Sequence, residues 1–274
     1  MIHKLLIKPD QLLGNGVTSF MLTKAYFERH SSELRESRSL EDFVGSKLGV
    51  PIVWLDQVHG SKVGSVHART EDLIDACDGL YTEEKNIALA IKTADCLPLI
   101  LSSKEGTELS ALHVGWKGLQ KGIVENAILK FKCVTENLVA WLAPCISSEN
   151  YEVGEDVYTL FVNSDSQSIS SFISSSNNGK WLFSLKQECI RRLQRLGIEV
   201  ISNQFCTFKD EDLFYSYRKN TSLKRMVTLT WRKNEKSFLY WSWCNGIANG
   251  GTYFKSWLRC YGLQPYYRKI QTLA

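Results

Sequence analysis

With 274 residues, 44% hydrophobic and 23% charged, the chain has an ordinary globular composition and enough apolar material for a sizeable core, which excludes a disordered or fibrous polypeptide. No apolar run approaches the ~20 residues that cross a bilayer, and the opening MIHKLLIKPDQLL lacks the order of a signal peptide, so a cytoplasmic address and no membrane partner are expected. The net charge of +4 is uneven, with seven Lys/Arg against one acid from Arg232 onward and 26 basic against 28 acidic residues before it, so the pI is no argument that the whole protein binds nucleic acid.

In chain order, Lys4 to Lys8 and Gly16 to Leu22 predict short strands, and Lys24 to Arg38 is polar without a clean period. Ser39 followed by Leu40, Phe43, Val44 and Leu48 predicts a capped amphipathic helix ended by Gly49 and Pro51. The strand Ile52 to Leu55 then leads to Gln57, His59 and Gly60, placing a histidine at a break before the β-like Lys62 to His67. Residues 68 to 86 read as turns, with Asp75, Cys77 and Asp78 ahead of Gly79. Three apolar strands follow, Ile87 to Ile91, Leu97 to Leu101 and Leu109 to Val114, with Cys96 before the second and His113 near the end of the third.

Gly115 and Gly118 mark a turn, after which Ile123, Val124, Ala127, Ile128 and Phe131 recur at helical spacing. Leu138 to Leu142 predicts a strand, Tyr151 to Phe161 a helix, and the Ser- and Asn-rich run 164 to 179 a surface excursion rather than a lid. Leu185 to Leu196 predicts a helix closed by Gly197, with strands at Ile198 to Ser202 and Met226 to Trp231. Alternating strands and helices without a repeat or linker predict an α/β (α+β) fold, a layered β-α-β single domain with a mixed sheet over residues 1–231. Residues 232–274 form a basic aromatic extension. Eight cysteines without a CxxC pair read as reduced thiols.

His59, Cys96 and His113 are the residues that carry chemistry. Two imidazoles and a thiolate on separated strand ends are ligand types that zinc prefers, with a fourth position left for water or substrate. Spacing alone leaves other readings open: a buried structural thiol beside Leu97 with hydrogen-bonded strand-end histidines, or a thiolate nucleophile served by one histidine.

The ordered series WLDQVHG (54–60), TADCLPLIL (93–101), ALHVGWKGL (111–119), WLAPCIS (141–147), YEVG (151–154), CTFKDEDLFYSYRKN (206–220) and RMVTLTW (225–231) resembles the motifs of the YfiH-like laccase-domain family. The resemblance implies a cytoplasmic zinc enzyme with a layered β-α-β fold, its ligands being His59, Cys96 and His113. It implies purine nucleoside phosphorylase activity on adenosine, inosine, guanosine and methylthioadenosine, with adenosine deaminase activity. Alternatives in the same family are a copper-dependent polyphenol oxidase and a cysteine-type amidase that edits peptidoglycan precursors through Cys96. The chain lacks the glycine-paired and histidine-bearing N-terminal motifs of the family, which adds an inactive member to the alternatives. Lys117 stands where arginine is usual.

Within that implied chemistry, Lys117 and Arg218 are the expected phosphate or purine contacts and Asp95, beside Cys96, the carboxylate available to move protons. Purine nucleoside and phosphate are the expected partners. For the extension, three tryptophans and five tyrosines among basic residues are compatible with RNA stacking, but without a nucleic-acid motif a packed subdomain or a foreign extension is the expectation.

Overall fold

The computed structural model describes residues 5–233, so the C-terminal extension lies outside the described residues apart from Arg232 and Lys233. Strands β1 (Leu6–Ile7) and β2 (Val17–Leu22) precede three short helices, α1 (Lys24–Arg29), α2 (Ser31–Glu36) and α3 (Leu40–Leu48). Seven strands follow: β3 (Ile52–Leu55), β4 (Val63–Val66), β5 (Leu73–Ile74), β6 (Gly79–Thr82), β7 (Ala88–Thr93), β8 (Leu97–Ser103) and β9 (Leu109–Val114). The rest comprises α4 (Trp116–Gln120), α5 (Ile123–Ile128), β10 (Leu138–Leu142), β11 (Glu152–Gly154), α6 (Glu155–Ser164), β12 (Phe172–Ser174) and β13 (Lys180–Phe183). Then come α7 (Leu185–Arg195), β14 (Glu199–Ser202), α8 (Tyr217–Asn220) and β15 (Met226–Arg232).

These strands make two mixed six-stranded sheets, ordered β1-β2-β15-β7-β3-β5 and β14-β10-β8-β9-β6-β4, and a small antiparallel sheet, β11-β13-β12. Strand alternation explains how they stack. Leu89 and Ile91 of β7 and Met226 of β15 meet Ile100 of β8, Ala111 of β9 and Trp141 of β10, so the two large sheets pack face to face. The intervening residues Leu97, Leu99 and Leu101 point the other way, onto Val124 of α5, Phe161 of α6 and Leu193 of α7. Because β8 is covered on both faces, its apolar run is continuous, and each fully buried leucine contributes about 2 kcal/mol. No helix among the described residues is long and apolar enough to cross a membrane.

The helix α3 forms as its caps predict: the Ser39 hydroxyl accepts from the Asp42 amide at 3.0 Å, and Gly49 takes the left-handed φ of 69° that closes the helix. Elsewhere the structure departs from the sequence reading. The polar segment 24–38 is helical, starting at a Thr23 cap, and escapes a periodic signal because α1 buries only Phe27 and α2 buries nothing. The turn-rich 68–86 contains β6, fully buried between β4 and β9. Helix α6 begins at Glu155 rather than Tyr151, since Glu152–Gly154 pair with β13.

The run 164–179 is not a bare excursion. Its Phe172 is buried and stacks on Phe183 with ring centroids 4.3 Å apart, and Ile169 and Ile173 accompany it at the surface. Strand β15 also extends one residue past Trp231: buried Arg232 donates through Nη1 to the carbonyls of Glu83 and Thr107.

Candidate metal centre and active-site cleft

The antiparallel register of β8 and β9 pairs Leu97 with Val114 and Pro98 with His113, which brings Cys96, one residue before β8, to the end of β9. His113 shares strand parity with Leu109 and Ala111, so its ring lies on the inter-sheet side and is 3% exposed. The third member arrives from the loop between β3 and β4, where His59 adopts a left-handed φ of 59°. Its ring crosses that of His113 edge-on at 4.7 Å, and its Nε2 lies 3.9 Å from the Cys96 sulfur. One ligand atom from each residue falls within 4.8 Å of the others. Gly115 permits this approach, because a Cβ there would stand 3.0 Å from the His59 ring and 3.3 Å from the Cys96 sulfur.

Asp78 organises two of the three, and the sequence reading did not single it out for that task. Fully buried, it accepts from His113 Nδ1 at 2.7 Å and from the backbone amides of Val58, His59 and Gly60 at 3.2, 2.9 and 2.6 Å. The first bond fixes the His113 tautomer so that Nε2 is the free nitrogen; the other three hold the loop that presents His59. Although burial favours the neutral acid, the His113 and backbone donors outweigh it and keep the Asp78 carboxyl below its ordinary range. Recognising β6 in the sequence would have found Asp78, since the β6–β9 register sets Gly79 against Leu112 and hence Asp78 beside His113.

The turn that carries Cys96 has its own anchor. Asp95 sits at φ 85°, with its carboxylate accepting from the hydroxyls of Thr207 and Ser216 and from the Arg218 amide, each at 2.7 Å. Its carbonyl accepts from the Ile146 amide at 3.0 Å. One carboxylate thus ties the Cys96 turn to the start of α8.

Burial opposes ionisation of the Cys96 thiol, yet the adjacent His113 and His59 outweigh it and bring the group down to about 6. Burial likewise opposes a charge on His113, but the Cys96 thiolate and Asp78 together raise it to about 9. A thiolate supported by two imidazoles, one oriented by a carboxylate, fits a zinc or copper ion in donor type and in mutual distance.

The trio lies in a cleft of about 1200 Å3 whose walls include Tyr151, Tyr215, Tyr217 and Arg218. Arg218 places its guanidinium 5.0 Å from the Tyr151 ring centroid and donates through Nη1 to the Glu152 carbonyl at 2.7 Å. Lys117 is not among the lining residues: it is exposed on α4, with its ammonium 5.6 Å from the Trp116 ring. Of the expected site residues, the cleft therefore gathers His59, Asp95, Cys96, His113 and Arg218 and leaves Lys117 outside. One wall comes from α1 and α2, including Phe27, Ser31 and Leu34, in the segment that lacks the expected N-terminal motifs.

Comparison with known proteins agrees with this architecture. Residues 30–233 match the family model described as multi-copper polyphenol oxidoreductase laccase. The chain is 33% identical over 194 residues to purine nucleoside phosphorylase YfiH of Shigella flexneri, covering 69% of this chain and 77% of that protein. It is 36% identical over 193 residues to a purine nucleoside phosphorylase of Xylella fastidiosa strain 9a5c, covering 67% and 74% respectively. Among solved structures, Neisseria meningitidis protein NMB0706 superposes with a TM-score of 0.75 at 27% identity, over 84% of this chain and all of that one. Because the family model spans residues 30–233, well over half of the chain, and relatives above 30% identity are covered to two thirds or more, the chain belongs to the YfiH-like laccase-domain family.

Proposed function

We propose that this chain is a zinc-dependent purine nucleoside phosphorylase that converts adenosine, inosine, guanosine or methylthioadenosine and phosphate to free base and sugar 1-phosphate, and that the same site deaminates adenosine. The observation that carries the reading is the joint placement, in one cleft, of a His-Cys-His trio, three tyrosines and Arg218. Relatives at about a third identity bear the phosphorylase name, which supports the reading at family level.

His59, Cys96 and His113 are the residues that would hold the metal, zinc by this reading and copper by the family model's description. Bound there, a zinc ion supplies Lewis acidity and a water acidified toward a pKa of ~7. The chain's own residues do the rest. Tyr215 and Tyr217 offer aromatic surface to a flat purine, while the buried Tyr151 ring already carries the Arg218 guanidinium and stacks on Phe183. Arg218 offers phosphate a planar guanidinium on the wall of the same cleft, already oriented by its bond to the Glu152 carbonyl. Asp95 has both oxygens engaged by Thr207, Ser216 and the Arg218 amide, so its part is to position Cys96 and Arg218, not to move a proton.

A second reading draws on one specific observation: the Asp78–His113 pair standing next to Cys96 has the layout of a thiol hydrolase, in which the histidine orients and activates the sulfur. A substrate panel separates the two. Inosine and phosphate should give hypoxanthine and ribose 1-phosphate, adenosine alone should give inosine, and a muropeptide precursor should remain intact. Cleavage of the muropeptide with no base released would reverse the assignment, and phenol oxidation dependent on added copper would favour an oxidase.

A further inference from the structure

The ring and the hydroxyl of Tyr151 meet different surroundings. Its ring is engaged by protein: it stacks on Phe183 with centroids 6.1 Å apart, and the Arg218 guanidinium stands 5.0 Å from its centroid. Its backbone is engaged as well, the amide donating to the Ser148 carbonyl and the carbonyl accepting from the Phe183 amide, each at 3.0 Å. The side chain is therefore held in one place, with 9% of the residue exposed.

The hydroxyl is not engaged in this way. Among the described residues it has no hydrogen-bond partner, and it is not one of the sealed polar atoms that lack one, which are Thr93 Oγ1, Glu125 Oε2, Thr228 Oγ1 and Arg232 Nε. The small exposed part of Tyr151 thus includes its oxygen, on a residue that lines the cleft. A largely buried hydroxyl costs free energy unless something meets it there.

The surroundings decide what that can be. Burial and the Cys96 thiolate both keep the phenol protonated, against the opposing pull of Arg218, so at neutral pH the group is a donor. Arg218 beside the ring is a second donor, and its place is fixed twice: Nη1 donates to the Glu152 carbonyl and the amide to the Asp95 carboxylate, each at 2.7 Å. A guanidinium and a hydroxyl on one stretch of wall match an oxyanion with several acceptor oxygens.

We propose that Tyr151 is a phosphate-binding residue of this cleft, its hydroxyl donating to an oxygen of the same phosphate that Arg218 holds. The inference rests on the phosphorylase reading and deepens it by adding a neutral donor to the phosphate subsite. Such a donor orients the anion without adding a second positive charge that would blunt its attack.

The test compares wild type with Tyr151→Phe, which keeps the ring on Phe183 and Arg218 and removes the hydroxyl. The metal-replete full chain is titrated calorimetrically with inorganic phosphate, and initial rates with inosine are followed at varied phosphate. The variant should bind phosphate about tenfold more weakly and show a KM for phosphate raised by the same factor, as expected for loss of a hydrogen bond to a charged group. Its KM for inosine, bound metal and melting temperature should match wild type. Equal phosphate affinity in the two proteins, no phosphate binding by wild type, or a lowered melting temperature with phosphate affinity intact would overturn the inference. If wild type releases no hypoxanthine, the phosphorylase reading fails, while the ratio of phosphate affinities still decides the Tyr151 contact.

Discussion

Two fully buried carboxylates, Asp78 and Glu188, each hold separate pieces of chain together, yet only one of them builds a site. Glu188 on α7 accepts from Ser168 and Ser171 at 3.0 Å each and from Arg191 and Arg192 at 2.7 and 2.8 Å. Its partners are spent on the fold: Arg191 continues to Asp165, and Arg192 to the Leu119 carbonyl. Asp78 bonds instead to a histidine and a loop whose remaining atoms face an open cleft. A satisfied buried charge is therefore no sign of function in itself. The sign is a partner with a second reactive end turned toward a ligand.

Substitutions should separate the two regions. The largest effect is expected from Cys96→Ala and His113→Ala, each removing one of three proposed ligands: bound metal and phosphorolysis should both be lost, while circular dichroism stays native. Next, Asp78→Asn should weaken metal binding by about 10- to 100-fold, since it removes the charge that orients His113 and His59, as a chelator competition would show. Glu188→Gln should do the reverse, destabilising the fold by about 3 kcal/mol in urea melts while leaving kcat per folded molecule within about twofold.

The pH dependence of stability sharpens the same contrast. Burial works against the Glu188 charge, but the Arg191 and Arg192 bonds hold its folded carboxyl below the ordinary range. A depressed carboxylate contributes stability that is whole above the unfolded pKa of ~4.3 and is lost as pH falls through the folded value. Wild type should therefore lose melting temperature steeply below pH ~4.3, and Glu188→Gln, starting lower at neutral pH, should show a shallower acid limb. The smallest effects concern the cations. Arg218→Ala should raise the KM for phosphate about tenfold, whereas Lys117→Ala, outside the cleft, should change it less than twofold.

Much of this was legible in the sequence. The apolar runs of β7, β8, β9 and β10 announced themselves, and the motif series named His59, Cys96 and His113, which the register then gathered. Three things were hidden for physical reasons. Helices α1 and α2 lie on the surface with a single buried residue, so no period betrays them, yet they wall the cleft. Strand β6 is four residues long inside a turn-rich stretch, and without it Asp78 has no address beside His113. Position 95 was noticed only as a neighbour of a ligand, because its three donors come from segments more than a hundred residues downstream.

The central claim is that the trio serves phosphorolysis. Metal-replete wild type should release hypoxanthine from inosine only when phosphate is present, with equimolar ribose 1-phosphate, and Cys96→Ala should release none. Hypoxanthine formed at the same rate without phosphate, or an undiminished rate in Cys96→Ala, would contradict the account.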